Sequence, residues 1–286
     1  MYEDYHVLAG IVTYNPDIGR LKENLDALFK QVKNVLIIDN NSKNIDVIKG
    51  LIQDYKNYQV KIYYNKKNLG IATALHQIME YAKKENYKWV LTLDQDSVIK
   101  PGLVENYIYY SEKENNKMTA MFSCLITDRN FNDKKYETQK KDIIDIPYCI
   151  TSAAFTNVDK YKNTSGYDKK FFIDCVDFDI CYQLREKGYK IKRIAFNGLY
   201  HEVGHGRNRH FLWKNIVVYN QKPFRAYYLA RNTVWMWKKH SQSYSFCYML
   251  KKLLAQILRI ILYENQKIER CHNFVKGIYD SKKYYA

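Results

Sequence analysis

The chain has 286 residues, of which 47% are hydrophobic, so neither an intrinsically disordered protein nor a mini-protein that needs covalent staples is indicated. Lys and Arg number 46 against 30 Asp and Glu, a formal net charge of +16. Only four prolines and eleven glycines are present, which excludes collagen-like and linker-like sequences. This length suits one large α/β domain with an appendage.

The cysteines indicate the compartment. Six are present without a CxxC pair, and no apolar signal segment follows the charged start of the chain. Reduced thiols in the cytosol are the simplest interpretation. Because no stretch of about eighteen residues lacks charge, a membrane-spanning helix is not predicted. We therefore expect a cytoplasmic protein.

The N-terminal part alternates short apolar runs with longer stretches of helical periodicity, a pattern typical of βαβ units in a mainly parallel sheet. Helices are predicted between the first two strands, over residues 18–32, and between the last two, over residues 71–82. Such doubly wound sheets bind ligands at the carboxyl ends of their strands. The predicted strands span residues 7–13, 35–38, 60–64 and 89–93.

Short polar side chains follow all four predicted strands. Asn, Asp and Ser also favour turns and caps, so any one of these clusters has a purely structural explanation. Four clusters at one edge of a sheet indicate a ligand site instead. They lie at residues 13–15, 39–42, 65–70 and 94–97.

The pattern weakens in the middle of the chain. Strands are predicted over residues 118–123 and 149–155, on either side of a charged, solvated loop at 128–142. The end of the segment 172–187 is predicted to be helical, and residues 191–196 form a further strand. Beyond residue 224 the pattern is helical almost to the terminus.

Asp94 and Asp96 follow an apolar strand at a spacing of two residues. Side chains at this spacing point to opposite faces of a regular strand, so both reach one site only if the chain turns just after Leu93. Carboxylates suit Mg²⁺ or Mn²⁺, and these ions suit a diphosphate whose leaving charge must be neutralised. A capped helix start is the alternative explanation.

A second acidic group comprises Asp174, Asp177 and Asp179, at the entrance to a predicted helix. These carboxylates either favour the positive end of that helix or include a general base. A base must lie within hydrogen-bond reach of the acceptor proton. The spacing alone leaves both interpretations open.

Seven segments carry a family resemblance: AGIVTYNPD (9–17), IIDNNS (37–42), NLGIATAL (68–75), WVLTLDQDS (89–97), FFIDCVDFD (171–179), HEVG (201–204) and YYLARN (227–232). With them the chain resembles the family 2 glycosyltransferases of GT-A fold, and among these the bacterial rhamnosyltransferases. LTLDQDS followed by FFID-x-VD is the most specific part. The resemblance implies an α/β fold, a Rossmann-like mixed sheet flanked by helices with a helical C-terminal extension.

The resemblance also implies an activity, the inverting transfer of L-rhamnose from dTDP-rhamnose to a glycan acceptor. That acceptor is expected to be lipid-linked, in bacterial surface polysaccharide synthesis, and a UDP-hexose donor is the alternative. By position, Asp177 would deprotonate the acceptor hydroxyl, while Asp96 and His201 would hold Mn²⁺ or Mg²⁺. The residues implied to contact the nucleotide-sugar donor are Thr13, Asn15, Asp39, Asn68, Gly70, Asp94 and Arg231.

Two positions depart from the resemblance. Gln183 stands six residues after Asp177, where relatives usually carry arginine, and Arg185 is two residues further on. Asp179 stands where relatives often carry glutamate. If that arginine supports the acidic cluster or the donor, its role here is unfilled or shifted to another residue. The departures therefore bear more on the donor than on the fold.

Residues 201–205 also match the HExxH pattern of zinc peptidases. That mechanism needs His201 and His205 on one face of a helix, with Glu202 activating a water on zinc. Residues 191–196 alternate like a strand instead, and the nearby glycines disfavour a helix. A peptidase is therefore a minor alternative.

The C-terminal part contains an amphipathic helix pattern. This helix either packs its apolar stripe on the catalytic domain or lies, with nearby cations, on an anionic membrane surface. We expect a catalytic domain over residues 1–215 and a helical extension over 216–286, with the protein peripheral on the inner face of the cell membrane. The stripe comprises Leu250, Leu253, Leu254, Ile257, Leu258 and Ile261, and Lys252, Gln256 and Arg259 occupy the other side.

The positive charge offers a non-enzymatic alternative, a protein that binds nucleic acid. No helix-turn-helix, zinc-finger or RNP pattern accompanies the charge, and the lysines are spread along the chain. A nucleic-acid partner is therefore not expected.

Overall fold

A computed structural model describes residues 6–129, 141–201, 207–211 and 214–285. Within them, a nine-stranded mixed sheet lies between helices, and a separate two-stranded hairpin precedes the C-terminal helices. The strands are β1 (Val7–Thr13), β2 (Asn34–Asp39), β3 (Gln59–Tyr64), β4 (Trp89–Asp94), β5 (Val98–Ile99), β6 (Thr119–Asp128), β7 (Ile143–Asp145), β8 (Ala154–Asn157), β9 (Lys190–His201), β10 (Arg207–Phe211) and β11 (Lys214–Val218). The helices are α1 (Ile18–Leu28), α2 (Ile45–Gln53), α3 (Gly70–Lys84), α4 (Leu103–Glu112), α5 (Val158–Tyr161), α6 (Val176–Glu186), α7 (Phe224–Lys239), α8 (Phe246–Tyr263) and α9 (Lys267–Asp280).

The parallel half of the sheet matches the sequence prediction. The four predicted N-terminal strands are β1 to β4, and they pair in parallel in the order β3-β2-β1-β4. Helices α1 and α3 occupy two of the intervening segments, as their periodicity predicts. Because neighbouring parallel strands end at the same edge, their polar C-terminal residues are gathered along one rim.

The other half of the sheet departs from the prediction. The strand predicted over 149–155 begins at Ala154, and as β8 it runs antiparallel to both β4 and β6. Ala153 has a φ of 59°, a left-handed conformation that interrupts an extended backbone. The strand predicted over 118–123 is correct but continues to Asp128. Of the predicted loop at 128–142, residues 130–140 lie outside the described part of the chain.

The sheet buries side chains on both faces. Leu8 of β1 packs with Ile78 of α3 in one apolar cluster, while Ala9 and Ile11 pack with Leu21 of α1 in another. Successive side chains of a strand point to opposite faces, so a strand covered on both sides must be apolar throughout. This explains the nearly continuous apolar runs of β1, β2 and β4, whereas the edge strand β3 is half-exposed and mixes polar with apolar residues.

The C-terminal helices pack on one another and on the sheet domain. Gly277 of α9 lies against Tyr227 of α7 so closely that a Cβ there would come within 2.3 Å of the Tyr227 carbonyl oxygen. The indole of Trp235 donates to the Ser281 carbonyl at 3.0 Å. The division predicted at residue 215 falls within β11. No helix in the described ranges has the length and apolar character needed to cross a membrane.

The apolar stripe predicted on α8 does not pack on the catalytic domain as a unit. The residues of α8 that are buried are Met249, Leu253, Gln256 and Ile260, so only Leu253 of the predicted stripe is fully covered. Gln256, predicted on the polar side, is buried and donates to Thr233 Oγ1 at 3.1 Å. The packing interpretation of the stripe is therefore wrong, because the helix is rotated from the orientation that would bury it.

Candidate active site

The carboxyl ends of β1 and β2 form one buried, hydrogen-bonded unit. Thr13 and Asp39 end their strands as register partners. The hydroxyl of Thr13 donates to Asp39 Oδ2 at 2.8 Å, and the main-chain N–H of Ser42 donates to Asp39 Oδ1 at 2.8 Å. The strand pairing thus brings together two of the predicted donor contacts and holds the Asp39 carboxylate in a fixed orientation.

The end of β3 joins the same rim. The main-chain N–H of Asn15 donates to Ser42 Oγ at 2.8 Å, which connects the first two strand ends. Asn40 Nδ2 donates to the Gly70 carbonyl at 3.2 Å, and Asn68 Oδ1 accepts from the Gly70 N–H at 2.9 Å. The polar segments after three strands are therefore a single network, as their positions in the sequence predict.

Gly70 allows this network to touch the second acidic segment. Its φ is 82°, and a Cβ at this position would lie 2.5 Å from both the ring and the carbonyl oxygen of Phe172. Only glycine combines a left-handed backbone with so close an approach at little cost. The contact links the start of α3 to the loop that precedes α6.

We expect Gly70→Ala to lower both stability and turnover, because the added methyl group displaces the loop at Phe172. The loss of unfolding free energy should exceed about 1 kcal/mol, measured by urea denaturation. Gly50→Ala is the matched control, since nothing lies within 4 Å of a Cβ there. Equal behaviour of the two variants would contradict the role given to this contact.

Asp94 and Asp96 lie at the end of β4 with His201. Asp94 is the last residue of the strand and the chain turns directly after it, with the Ser97 N–H donating to the Asp94 carbonyl at 3.2 Å. The turn required for both carboxylates to reach one site is therefore present. One oxygen of each carboxylate and one ring nitrogen of His201 lie within 4.8 Å of one another. Asp94, predicted to contact the donor, belongs geometrically to the same three-residue group.

His201 reaches this group because β5 pairs antiparallel with the end of β9. Its Nδ1 lies 2.8 Å from Ser97 Oγ, which in turn lies 2.7 Å from Ser152 Oγ. When Nδ1 donates to Ser97, Nε2 keeps its lone pair for a metal ion. Two carboxylates and one imidazole are the oxygen and nitrogen donors that suit Mg²⁺ or Mn²⁺. The residues present therefore fit the divalent ion that the sequence predicts.

The loop before α6 has an unusual backbone. Three non-glycine residues in 172–175 have φ values between 61° and 65°, conformations that cost on the order of 1–3 kcal/mol each. The fully buried side-chain amide of Asn232 lies 2.9, 2.7 and 2.9 Å from the carbonyls of Phe171, Ile173 and Asp174. Helix α7 therefore holds this strained loop in position.

Asp177 follows the loop, in the first turn of α6. The pKa of its carboxyl is raised to about 6, mainly by burial and in part by the negative charges of Asp174 and Asp94, while the N–H of Phe178 opposes the shift. The contribution of Asp94 to this shift shows that the carboxyl groups of Asp94 and Asp177 interact electrostatically. Tertiary structure thus brings the two predicted acidic groups to one end of the sheet.

An arginine that the sequence did not single out lies between these groups. Arg225 of α7 pairs through two nitrogens with the Asp174 carboxylate. Burial raises the pKa of Asp94, and the positive charge of Arg225 opposes part of this rise. Arg231, predicted as a donor contact, donates to main-chain oxygens of the loop before α6, including that of Lys170 at 2.9 Å. In the described contacts, Arg225 is the guanidinium group that faces the acidic residues.

Asp179 is the centre of a buried polar network that connects α6 to α7. It accepts from Gln183 Nε2 at 2.8 Å, Lys239 Nζ at 2.9 Å and His240 Nε2 at 2.8 Å. The other ring nitrogen of His240 lies 2.9 Å from Glu186. Gln183 thus bonds Asp179 directly, and the positive charge beside Asp179 comes from α7. Gln183 itself therefore takes part in this network, and Lys239 is the cation that contacts Asp179.

His240→Leu should destabilise the protein, since it leaves Asp179 and Glu186 without a shared partner in a buried network. We expect the free energy of unfolding to fall by about 3 kcal/mol, measured by urea denaturation. Lys49→Met removes an exposed ion pair with Asp46 and serves as the control, with an almost unchanged midpoint. A similar loss in both variants would contradict the network's structural role.

The HExxH interpretation fails at its first residue. His201 ends strand β9, whereas a zinc peptidase needs this histidine on a helix. Glu202 and His205 lie outside the described residues. The histidine that the motif would use is the one that lies with Asp94 and Asp96.

Comparison with known proteins identifies the family to which this site belongs. The model of the family described as Glycosyl transferase family 2 matches residues 9–175, more than half of the chain. The chain belongs to glycosyl transferase family 2. The matched segment contains the rim residues of β1 to β4 and ends just before α6. The polar ends of these strands therefore lie within the part of the chain that matches the family.

Two curated relatives are similar to this glycosyltransferase over most of their length. The dTDP-rhamnosyl transferase RfbF of Shigella flexneri is 24% identical over 246 residues, which cover 82% of this chain and 81% of RfbF. The rhamnosyltransferase WbbL of Escherichia coli (strain K12) is 23% identical over 246 residues, covering 76% of this chain and 89% of WbbL. The resemblance to rhamnosyltransferases is confirmed.

Solved structures show the fold. TarS 1–349 of S. aureus superposes with a TM-score of 0.63 at 12% identity, covering 96% of this chain and 80% of TarS 1–349. The mannosyltransferase PcManGT from Pyrobaculum calidifontis, in complex with GDP-Man and Mn²⁺, gives a TM-score of 0.59 at 14% identity, covering 98% of this chain and 82% of PcManGT. The predicted GT-A fold of this family 2 enzyme is confirmed.

Proposed function

We propose that this glycosyltransferase moves L-rhamnose from dTDP-rhamnose to a hydroxyl of a glycan acceptor, with inversion at the anomeric carbon. The acceptor is a lipid-linked glycan of bacterial surface polysaccharide synthesis, and the enzyme acts as a peripheral protein at the inner face of the cell membrane. The rhamnosyl part of the proposal is supported by the names of the two relatives, RfbF and WbbL.

One observation carries the reaction type: three carboxylates near the loop before α6 differ in their partners. Asp174 is paired with Arg225, and Asp179 is bonded to Lys239 and His240. Within the described residues, Asp177 accepts a hydrogen bond from the Phe178 N–H at 3.0 Å and forms no ion pair with a cation. A carboxylate without a cationic partner keeps its proton affinity, so Asp177 is the one suited to act as the base.

The metal-binding part of the proposal rests on Asp94, Asp96 and His201. These residues would hold Mn²⁺ or Mg²⁺ through two carboxylates and the Nε2 of His201. A bound divalent ion would neutralise the negative charge that develops on the diphosphate as it leaves. The neighbouring Thr13, Asn15, Asp39, Asn68 and Gly70 would hold the nucleoside and the diphosphate at the rim.

In the proposed reaction, the acceptor hydroxyl oxygen forms a bond to the anomeric carbon of rhamnose. The bond from that carbon to the diphosphate oxygen breaks on the opposite face, and dTDP leaves with the bonding electrons. Asp177 takes the hydroxyl proton as the oxygen attacks. Arg225 keeps the Asp174 carboxylate paired, so that Asp177 alone competes for this proton.

A donor screen tests the proposal. The purified protein is incubated with dTDP-rhamnose, UDP-glucose, UDP-galactose and UDP-N-acetylglucosamine, and nucleoside diphosphate release is followed with Mn²⁺, with Mg²⁺ and with EDTA. We expect dTDP-rhamnose to be consumed at least about 10-fold faster than any UDP-sugar, because correct contacts to a sugar are worth on the order of 1–3 kcal/mol each. EDTA should abolish release.

Preference for a UDP-sugar would replace the proposed donor with a UDP-hexose while leaving the reaction type intact. Full turnover in EDTA would overturn the metal assignment. Absence of nucleoside diphosphate release from every donor, in protein shown to be folded by circular dichroism, would overturn the proposed function.

A further inference from the structure

Helix α8 exposes the apolar stripe that the sequence contains. Leu254 is 55% exposed and Leu258 is 49% exposed. Since each residue turns a helix by about 100°, this stripe lies about a third of a turn away from the face formed by Met249, Leu253, Gln256 and Ile260. The exposed apolar side chains of α8 are Phe246, Leu250, Leu254, Leu258, Ile261 and Leu262, and we call them the α8 stripe.

The stripe is long as well as exposed. From Phe246 to Leu262 it spans seventeen residues of one helix, whose sixteen steps at 1.5 Å each give about 24 Å. Helix α9 repeats the arrangement, since Arg270, Phe274 and Gly277 are buried while Ile268 and Val275 are 89% and 63% exposed. Apolar side chains aligned in this way on a protein surface mark an interaction site rather than isolated exposure.

Charge indicates what covers this surface. Residues 216–286 contain thirteen Lys and Arg against three Asp and Glu, a net charge of +10 out of +16 for the whole chain. Lys251 is exposed and lies within the stripe, at a helical position between those of Leu258 and Leu262. An apolar stripe that carries a lysine, in a strongly basic part of the chain, complements an anionic lipid surface, where lysine stems lie along the acyl region and the ammonium groups meet the head groups.

We propose that the α8 stripe binds anionic lipid, with α8 lying parallel to the membrane plane and its apolar side chains inserted below the head groups. The inference rests on the proposed function for its purpose, because a lipid-linked acceptor is reached from the membrane surface. Its geometry is independent of the donor. The buried face of α8 packs on α7, the helix that holds the loop before Asp177. Membrane binding through α8 therefore fixes the active site relative to the bilayer.

Vesicle co-sedimentation of the full chain tests the surface, without donor or acceptor. Vesicles of phosphatidylcholine alone are compared with vesicles containing about 30% phosphatidylglycerol, a composition that gives an anionic surface. We expect binding to the anionic vesicles, and at least about 10-fold weaker partitioning for Leu254→Glu with Leu258→Glu. The matched control, Val47→Glu with Tyr109→Glu, changes two equally exposed apolar residues elsewhere and should keep the wild-type partitioning.

Cys247 provides a second measurement that does not depend on a destabilising substitution. It is exposed on α8 within the stripe, whereas Cys124, Cys149, Cys175 and Cys181 are buried. An environment-sensitive fluorophore on Cys247, in a Cys271→Ala background, should shift to shorter wavelength when anionic vesicles are added.

Three results would overturn the lipid proposal. The first is wild-type protein that binds neither vesicle type. The second is equal partitioning of the stripe variant and its control. The third combines two measurements: the emission of the Cys247 probe shifts with protein concentration and not with lipid, and light scattering shows a dimer that the stripe variant dissociates. A second copy of the chain would then cover the stripe. Each of these can occur with an intact donor screen, so the two proposals fail separately.

Discussion

Asp177→Asn is expected to reduce the rate of sugar transfer by roughly 10²- to 10⁴-fold, the contribution typical of a positioned general base. The asparagine amide cannot take the acceptor proton, although its oxygen can still accept the Phe178 N–H that Asp177 accepts at 3.0 Å. Donor binding should be unchanged, because Asp177 is proposed to act on the acceptor. Single-turnover transfer and equilibrium binding of the donor separate the two effects.

The pH dependence of the reaction should show the same group. Burial raises the pKa of Asp177 to about 6, so the carboxylate form that acts as base is lost below that pH. The transfer rate of the wild-type enzyme should therefore rise as pH increases through about 6 and then level off. Asp177→Asn should remove this step from the residual rate.

The contribution of Asp177 to the free energy of unfolding should fall over the same pH range in which the transfer rate rises. Because the folded protein raises the pKa of Asp177 above its ordinary value of 3.8, folding favours the protonated form, and this contribution is lost as pH rises through about 6. Above that pH, Asp177→Asn should stabilise the protein, by on the order of 2 kcal/mol in urea denaturation. Asp159→Asn, at an exposed position, is the control. Loss of transfer together with loss of stability would contradict the proposed role.

The second large effect is expected for Asp96→Asn. A metal ion that stabilises a leaving diphosphate contributes several kcal/mol, so its loss should reduce turnover by about 100-fold or more. Asp96 supplies one of the three ligand atoms that lie within 4.8 Å of one another. An amide binds divalent ions more weakly than a carboxylate does, so the variant should need far more Mn²⁺ for half-maximal activity.

Titration of the metal ion in the donor assay provides the measurement for Asp96→Asn. The expected result is a higher half-saturating Mn²⁺ concentration together with weaker donor binding at fixed metal. Asp46→Asn removes the same charge from a largely exposed side chain on α2 and should leave both values unchanged. Turnover of Asp96→Asn at the wild-type rate and metal requirement would remove Asp96 from the site.

The parallel half of the fold follows from local sequence. The apolar runs that become β1, β2 and β4 are almost wholly buried, so their composition identifies them, and polar residues follow where each strand ends, whereas the edge strand β3 is half-exposed. Thr13, Asp39 and Asp94 therefore mark the rim without any knowledge of the tertiary structure. Strand β8 was misplaced because the left-handed Ala153 leaves no trace in an apolar pattern.

The site is less completely encoded in local sequence. Arg225 contacts Asp174, and Ser152 accepts from the Asp94 N–H, only because α7 and the segment before β8 pack where they do, and neither residue stands in a recognisable spacing. The one available signal for Arg225 was a cation two residues before the segment YYLARN. Arg231, which lies inside that segment, bonds instead to the main chain of the loop before α6.

The sequence by itself determined the family, the strand ends and the two acidic groups, because hydrophobic periodicity and short polar segments are local properties of the chain. Only the tertiary structure decided that Asp94 lies with Asp96 and His201 in one three-residue group, and that Lys239 and His240 contact Asp179. It also decided which face of α8 is exposed. Those outcomes depend on contacts between residues far apart in the sequence, and a helix with apolar residues on two faces can bury either one.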